Sequence, residues 1–490
     1  MNVVCSHCGA LHWYDESLSN SSRRNPKFGV CCLQGQVSLP LPSLPPQPLR
    51  DLMNGAHPRS RHFMENIRRY NMAFAFASTG VHTREQITTG PYSFVLHGEM
   101  NHRIGSLLPS ANLNGVVPAA SYAQLYIYDP QAATDVRRGN NILSGLDQNI
   151  MAELHDLMTR VNPLVQVYKM TYEWFMAQPA EQRNTVHARI VLQPTEDPRR
   201  YNLPTAQEIA AIIPGSGENE NVDKHRQIIL RLKGGPLQEI SHLNPLYAPL
   251  HYVLLFPRGE QGWHLTIPSN AGPNGNVRAE HVTERCYYAY VLHPRYIAQP
   301  EISYLFRGGR LLQQYMVDAW ASIESSLLYW IRTHQKDIRA DLYRGLLDAV
   351  TSSDQPVDLA QQGQRIVLPA THHGSTRHMY QLFQDSMAIC RRYRKPDIFL
   401  TMTANPKWPE VEAALLELAG GNPGRKQTAA DRPDIVARVF QLKKKALLKM
   451  IKDGFFGGLA ADVYTIEFQK RGLPHMHLLI FLRDTDKIRD

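Results

Sequence analysis

The stretch that decides the fold of the C-terminal region reads Val463-Tyr-Thr-Ile-Glu-Phe-Gln-Lys-Arg-Gly-Leu-Pro-His-Met-His-Leu-Leu-Ile-Phe-Leu482. Two runs rich in β-branched and aromatic residues flank a short polar break, which predicts a β-hairpin. If the loop has three residues, it ends at Gly472 in the left-handed conformation, and Glu467 then lies opposite His475. A two-residue loop would instead place Ile466 opposite His475 and turn Glu467 to the other face.

The two histidines of this stretch are two residues apart, so on a strand both side chains leave the same face, with Cα atoms roughly 6.5–7 Å apart. Two imidazoles and one opposed carboxylate can hold a divalent ion, Mn²⁺ or Mg²⁺, and leave coordination positions for a substrate oxygen. The sequence therefore predicts a metal site at His475, His477 and Glu467. The alternative is a pair of hydrogen-bonded histidines in a half-buried strand.

The segments before the hairpin alternate between helical and strand patterns. A long helix with aromatic residues at helical spacing comes first, and a β-branched strand follows a helix that ends before Pro396. The last helix is opened by Asp431-Arg-Pro-Asp434 and ended by Gly454. These patterns predict a multidomain α+β chain in which a C-terminal antiparallel sheet carries helices on one face. The predicted elements are Leu311–Thr333, Thr376–Tyr393, Asp397–Thr403, Pro409–Ala419, 434–452, Val463–Gln469 and Leu473–Leu482.

Positive charge is concentrated near the C-terminus. The 490 residues contain 53 Lys and Arg against 44 Asp and Glu, and residues 391–490 alone contain 19 against 12. On the last helix Arg438, Lys445, Lys449 and Lys452 share one face. This pattern predicts a DNA-binding surface that contacts phosphates, and the alternative is an ordinary solvated helix face.

Four of the six cysteines lie in the first 32 residues. Cys5 and Cys8 form a Cys-x2-Cys knuckle, whereas Cys31 and Cys32 are adjacent and can share one ion only if the backbone turns sharply between them. We expect these four thiols to hold a structural Zn²⁺, with His7 able to replace one of them. The alternative is four ordinary thiols, and so few cysteines exclude a disulfide-rich secreted scaffold.

The chain divides by composition into four segments. Residues 1–38 are the cysteine-rich, zinc-knuckle-like segment, 39–50 a proline-rich linker, 51–300 a mixed α/β region of unassigned role, and 301–490 the region described above. The N-terminus lacks a signal peptide and no apolar run is long enough to cross a membrane. The phosphate loop of nucleotide-driven motors is also absent, so no nucleotide cofactor is expected. Within 51–300 we expect strands at Tyr122–Tyr128, Ala188–Gln193 and Ile228–Leu232 and helices at Leu146–Met158 and Leu164–Met176.

Several segments resemble one family in order along the chain. Gly472-Leu-Pro-His-Met-His477 resembles the His-hydrophobe-His (HUH) signature of replication-initiator endonucleases from rolling-circle elements. The region of about 300–485 resembles the Helitron helicase-like N-terminal domain of Helitron transposases. The cysteine-rich start is similar to the fungal type. The other segments that carry the resemblance are Phe399–Trp408, Gln381–Asp385, Asp431–Asp434, Ile466–Arg471 and Ala206–Pro214.

The resemblance implies a ferredoxin-like nuclease core, a nuclear location and single-stranded DNA as the partner. It implies that a cation on His475 and His477 polarises the scissile phosphate while a tyrosine attacks it. The assignment of Glu467 as a metal ligand depends on the strand pairing and not on the resemblance. Tyr464 is on the opposite face, and the family's tyrosines come downstream of the histidines. We therefore assign no catalytic residue and expect the nucleophile, the helicase and the last elements of the core to lie outside these 490 residues.

Three functions follow from these observations. The first is the N-terminal portion of a Helitron-type rolling-circle transposase, which nicks single-stranded DNA and transfers the strand when complete. The second is a non-catalytic DNA-binding remnant or truncated gene product without the tyrosines. The third is a metal-dependent hydrolase on the same face, for which no second acid or base is placed beside the metal ligands.

Overall fold

The computed structural model describes most of the chain. The described residues are 1, 3–80, 82–86, 93–97, 100–109, 117, 119–128, 132–133, 135–136, 143, 145–183, 187–191, 227–233, 237–272, 275, 279–298, 301–335, 366–418, 426–469 and 472–487. Among the residues of the sequence predictions, Leu192, Gln193, Ala206–Pro214, Ala419 and two residues of the hairpin loop, 470 and 471, lie outside them. The chain divides into two compact units, residues 1–319 with 406–439 and residues 320–405 with 440–490. The four segments inferred from composition stay a prediction.

The first unit combines short helices with small antiparallel sheets, as a mixed pattern of short elements predicts. Ser78–Thr79, His102–Ile104 and Gln238–Ile240 form a three-stranded antiparallel sheet, and the other strands of this unit form four two-stranded antiparallel ribbons. Its elements are β1 (Val3–Val4), β2 (Leu11–His12), α1 (Leu49–Asn54), α2 (Ser60–Glu65), α3 (Ile67–Phe74), β3 (Ser78–Thr79), β4 (His82–Gln86), β5 (Ser93–His97), β6 (His102–Ile104), α4 (Gln148–Val161), α5 (Pro163–Ala177), β7 (His187–Val191), β8 (Gln227–Arg231), β9 (Gln238–Ile240), α6 (Tyr247–His251), α7 (Glu284–Val291), β10 (Tyr296–Ala298) and β11 (Glu301–Ile302).

Side-chain caps fix the ends of the two central helices. The carboxylate of Asp147 accepts hydrogen bonds from the backbone N–H groups of Asn149 and Ile150, so α4 begins at Gln148 rather than at the predicted Leu146. The amide oxygen of Asn162 caps α5 in the same way. Capping of this kind satisfies N–H groups that have no partner inside the helix. The two predicted helices are therefore confirmed with small changes in their ends.

The predicted strand over Tyr122–Tyr128 is wrong, because Tyr122–Tyr126 forms a 3-10 helix. The neighbouring residues Leu125 and Tyr126 are both buried, whereas the two-residue alternation of a half-buried strand would expose one of them. The Tyr126 hydroxyl donates to the Phe74 carbonyl at 2.6 Å, and its ring stacks on Phe76 with centroids 4.7 Å apart. Tertiary packing of the aromatic ring therefore outweighs the β propensity of the segment.

The remaining elements lead to the C-terminal sheet. They are α8 (Arg310–Thr333), α9 (Thr376–Tyr393), β12 (Ile398–Thr403), α10 (Pro409–Leu418), α11 (Pro433–Lys452), β13 (Leu459–Phe468) and β14 (Pro474–Leu482). Each element predicted in this region is found. Helix α9 is capped by the Ser375 hydroxyl, which accepts from the His378 N–H, and α11 ends before Gly454 at φ +95°. The Asp431 carboxylate, ahead of α11, accepts hydrogen bonds from the backbone N–H and the hydroxyl of Thr428, both at 2.9 Å.

The second unit contains a three-stranded antiparallel sheet in the order β12–β14–β13. Side chains alternate between its two faces, and on the central strand Met476, Leu478 and Ile480 are fully buried on one of them. Tyr464 of β13 points to that same face, where the Lys444 ammonium of α11 lies 5.1 Å from its ring centroid. The buried face is therefore the core side of this sheet. No helix among the described residues is both long and apolar enough to cross a bilayer.

Candidate metal centres

The hairpin has the predicted three-residue register. Gly472 adopts φ +73°, and the Gln469 N–H donates to the Leu473 carbonyl at 3.0 Å. Glu467 lies opposite His475 and Thr465 lies opposite His477. The positive φ is the conformation that glycine adopts without strain, so the loop sets the pairing of every residue along the two strands.

Three side chains meet on the face opposite to the buried core side. The ligand atoms of Glu467, His475 and His477 all lie within 4.8 Å of one another. Glu467 Oε1 and His477 Nε2 are 3.0 Å apart, and the two imidazole centroids are 4.5 Å apart. Adjacent ligands of an octahedral ion with bonds of about 2.1 Å are themselves about 3.0 Å apart. The donor set and its spacing therefore fit a divalent cation.

The three ligands differ in exposure, which gives the site an inner and an outer side. His475 is 9% exposed, whereas the side chains of His477 and Glu467 are 35% and 60% exposed. The Nδ1 atom of His475 lies 2.6 Å from the hydroxyl of Thr403, its partner on β12. His475 is therefore held on the inner side by the neighbouring strand, and the outer side is open to a substrate.

Phe399 also lies on the metal face, two and four residues before Thr401 and Thr403 on β12. Its ring is 64% exposed and lies nearly parallel to the His477 imidazole, at 10° with centroids 5.8 Å apart. Tyr464 belongs to the opposite face, as its place on β13 predicts, so it is not beside the histidines.

The basic residues of α11 have two different surroundings. Lys445, Lys449 and Lys452 are exposed along one side of the helix. Arg438 is half-buried, and its guanidinium donates to both carboxylate oxygens of Glu16 at 2.7 and 2.6 Å. Burial would raise the pKa of Glu16, but the hydrogen bonds from Arg438 and His12 lower it to about 2. Arg438 is thus engaged in an ion pair within the first unit, and its DNA-binding role stays a prediction, as does that of the lysines.

The four N-terminal cysteines converge on one point. The Cys31 and Cys32 sulfurs lie 3.8 Å apart, and those of Cys5 and Cys32 lie 3.9 Å apart. Sulfurs at the corners of a tetrahedron with Zn–S bonds of about 2.3 Å are about 3.8 Å apart. All four sulfurs, including that of Cys8, lie within 4.8 Å of one another, so the residues fit one tetrahedral ion. His7 is exposed and outside this group.

Cys31 and Cys32 lie inside one tight turn, which the Leu33 N–H closes by donating to the Gly29 carbonyl at 2.9 Å. Leu33 and Gln34 both adopt positive φ, 49° and 56°, and the Val37 N–H closes the loop by donating to the Cys32 carbonyl at 3.0 Å. The Gly35 N–H also donates to the Cys32 sulfur at 3.3 Å. Two consecutive non-glycine residues in this conformation are uncommon, which explains why the spacing of the cysteines did not reveal the turn.

Arg295 is a site residue that sequence reasoning missed. Its guanidinium is 4% exposed and donates to the Cys8 sulfur at 3.3 Å, to the Cys8 carbonyl at 3.0 Å and to the Cys31 carbonyl at 3.3 Å. It also donates to the carbonyls of Tyr290 and His293. Hydrogen bonds from Cys31 and Cys32, with the charge of Arg295, lower the pKa of Cys8 and favour its thiolate, the form that binds metals. A lone arginine nearly 300 residues from the knuckle carries no signal in the sequence.

Comparison with known families supports the resemblance noted in the sequence. Residues 287–480 match the sequence model of a family described as the Helitron helicase-like domain at N-terminus. The match includes all three hairpin ligands and Arg295, and it confirms the resemblance expected for about 300–485. A Helitron-type domain implies interaction with nucleic acid. No curated protein matches the chain.

Proposed function

We propose that this chain is the N-terminal portion of a Helitron-type rolling-circle transposase that acts on single-stranded DNA in the nucleus. One observation carries the proposal. Inside a segment similar to the Helitron helicase-like domain, His475, His477 and Glu467 place their ligand atoms within 4.8 Å of one another on an open sheet face. Such a group suits a cation that binds a phosphate oxygen of the DNA backbone.

Each of the three side chains on the metal face would have its own role. When bound, a Mn²⁺ or Mg²⁺ ion supplies Lewis acidity toward a phosphate oxygen. His475 would hold the ion from the buried side, and Glu467 and His477 would hold it from the more exposed side. The carboxylate would reduce the positive charge of the centre and occupy the ligand position next to His477 Nε2, 3.0 Å away. We assign no nucleophile, since Tyr464 projects from the other face.

DNA affinity is proposed to come from a second surface, the row of exposed lysines Lys445, Lys449 and Lys452 on α11. Helix α11 lies on the core side of the sheet, as the contact between Lys444 and Tyr464 shows, so this row and the metal face are separate. Each lysine side chain carries a point charge on a flexible stem, which suits contacts with phosphates but does not recognise bases. Binding through this row would therefore be insensitive to sequence and sensitive to salt.

The N-terminal cluster is proposed to hold Zn²⁺ in a structural role. Four cysteine ligands leave no open coordination position for a substrate. Arg295 compensates part of the negative charge of four thiolates and fixes the knuckle to residues 290–295. The ion would therefore stabilise the first unit and take no part in DNA chemistry.

Calorimetric titration of the Zn²⁺-loaded 490-residue chain with Mn²⁺ tests the main proposal. We expect about one site, lost in the His475→Ala, His477→Ala double variant. The matched control is His281→Ala, His373→Ala, which removes two exposed histidines that are not part of the hairpin sequence. Equal Mn²⁺ binding by the hairpin variant and the control would refute the assignment.

A second candidate function is a DNA-binding protein without a metal-dependent step. The separation of the lysine row from the metal face favours it, because the row can bind DNA alone. Gel-shift titrations with and without Mn²⁺ distinguish the two. The transposase proposal predicts that Mn²⁺ tightens single-strand binding by the wild type but not by the His475→Ala, His477→Ala variant. The second candidate predicts the same affinity with and without Mn²⁺.

A further inference from the structure

We infer that Thr403 is a positioning residue that sets which nitrogen of His475 faces the cation. The inference rests on the proposed metal site. The Thr403 hydroxyl and His475 Nδ1 are 2.6 Å apart, the shortest side-chain contact that either histidine of the face makes. With Nδ1 engaged by the hydroxyl, Nε2 is the nitrogen left to bind a metal.

The backbone hydrogen bonds of the sheet fix Thr403 and His475 next to each other. Thr403 and His475 are direct partners in the β12–β14 register. The Ala404 N–H donates to the Pro474 carbonyl at 2.9 Å, which fixes the two strands next to the pair. Threonine is stiff about its first side-chain torsion, so a fixed backbone also fixes the hydroxyl.

The burial of His475 makes this partner matter. At 9% exposure, its ring has little access to water that could replace a lost hydrogen bond. With a cation on Nε2, Nδ1 carries the hydrogen and donates it to the Thr403 oxygen. Without that oxygen the ring is free to turn or to change tautomer, and loss of such a partner typically lowers metal affinity by about 10- to 100-fold.

The test compares Thr403→Val, Thr403→Ser and Thr401→Val by Mn²⁺ titration of the full chain. Valine keeps the shape of threonine and removes the hydroxyl, and serine restores it. Thr401 is the matched control, because it lies on the same strand and face, opposite His477. We expect Thr403→Val to weaken Mn²⁺ by about 10- to 100-fold, while Thr403→Ser and Thr401→Val stay close to the wild type.

A second readout keeps the test decisive. Nitrogen NMR of histidine-labelled protein with diamagnetic Mg²⁺ reports the tautomer of His475, and we expect hydrogen on Nδ1 in the wild type and a mixture in Thr403→Val. If the valine variant does not fold, Thr403→Ala replaces it. Wild-type affinity and tautomer in a folded hydroxyl-free variant would overturn this inference alone, whereas no Mn²⁺ binding by the wild type would overturn the metal site itself.

A different observation carries a second inference, that Phe399 stacks on a nucleobase of the bound single strand. Phe399 lies on the same sheet face as the cation ligands, is 64% exposed and is nearly parallel to the His477 ring. It lies opposite Leu479, two residues along β14 from His477, which is roughly 6.5–7 Å on a strand. A base next to the phosphate at the cation would therefore reach this ring.

Single-stranded nucleic acid is the occupant that this arrangement suits best. Base stacking on aromatic side chains is tolerant of sequence, and loss of one ring typically costs about 5- to 150-fold in affinity. Phe468 offers a matched control, since it is 70% exposed on β13 but next to Glu467 and so on the opposite face.

The experiment measures the affinity of the full chain for a mixed-sequence oligonucleotide by fluorescence anisotropy. We expect Phe399→Ala to weaken binding by about 5- to 150-fold, Phe399→Trp to retain it, and Phe468→Ala to have little effect. Mn²⁺ affinity should be unchanged in Phe399→Ala, which separates this inference from the metal site. Unchanged DNA affinity of Phe399→Ala would overturn it. So would a change from dimer to monomer on size-exclusion chromatography without a loss of DNA binding, because the ring would then contact a second copy of the chain.

Discussion

Replacing Arg295 by methionine tests how the cysteine cluster is held. The guanidinium is almost completely buried and donates hydrogen bonds to one sulfur and four carbonyl oxygens. Its charge also faces the ring of Tyr290 at 3.7 Å. Methionine fills much of the same volume and supplies none of the donors, so the acceptors are left buried without a partner.

The magnitude follows from the number and kind of these contacts. A hydrogen bond from a charged donor contributes about 1.5–3 kcal/mol, and such bonds within one group are not additive. Removing one partner of a buried ionic group typically costs about 3–5 kcal/mol. We expect a loss of this size in the first unit, which corresponds to a fall of roughly 4–7 °C in its Tm.

Two measurements check this prediction. Differential scanning calorimetry gives the Tm of the wild type and of Arg295→Met, and native mass spectrometry gives the Zn²⁺ content of each. Arg295→Lys retains the charge but cannot reach all of the acceptors, so we expect an intermediate Tm. A methionine variant that retains both the wild-type Tm and its Zn²⁺ would show that Arg295 does not support the cluster.

Two further predictions concern charge. Changing Lys445, Lys449 and Lys452 together to Glu should weaken binding to DNA of every sequence and reduce the salt dependence of log Kd. Filter binding at several salt concentrations measures both effects. Unchanged affinity would mean that these lysines form an ordinary solvated helix face. Burial, with the nearby His102, lowers the pKa of His251 from 6.5 to about 4. The unfolded chain binds this proton first as pH falls, so folding stability should drop between about pH 6.5 and pH 4, by about 3 kcal/mol. Urea unfolding at both pH values measures the drop. His251→Gln should reduce it by this amount and leave the part that comes from His293, whose pKa burial also lowers to about 4.

The parts of the structure that the sequence predicted are set by local chemistry. Gly472 and the loop length determine the register that brings Glu467 to His475, and no distant residue is needed for it. Strand β13 begins at Leu459, before the predicted Val463, because the small residues ahead of Val463 pair with the end of β14 despite their low β propensity.

The parts that the sequence did not predict depend on contacts between distant residues. Thr403 meets His475 only because β12 pairs with β14 in one of several possible registers, and no turn connects these two strands directly. Arg295 reaches Cys8 through tertiary packing alone. The 3-10 helix at Tyr126 likewise depends on Phe74 and Phe76, which lie some fifty residues earlier.

Pulsed electron paramagnetic resonance of Mn²⁺ bound to the chain tests the central claim most directly, because the method detects nitrogen nuclei in direct coordination. With ¹⁵N-labelled histidine, we predict couplings from two imidazole nitrogens in the wild type. One coupling should remain in His475→Ala or in His477→Ala, and none in the double variant. A wild-type spectrum without histidine nitrogen coupling would contradict the assignment of His475 and His477 as the metal ligands of this face.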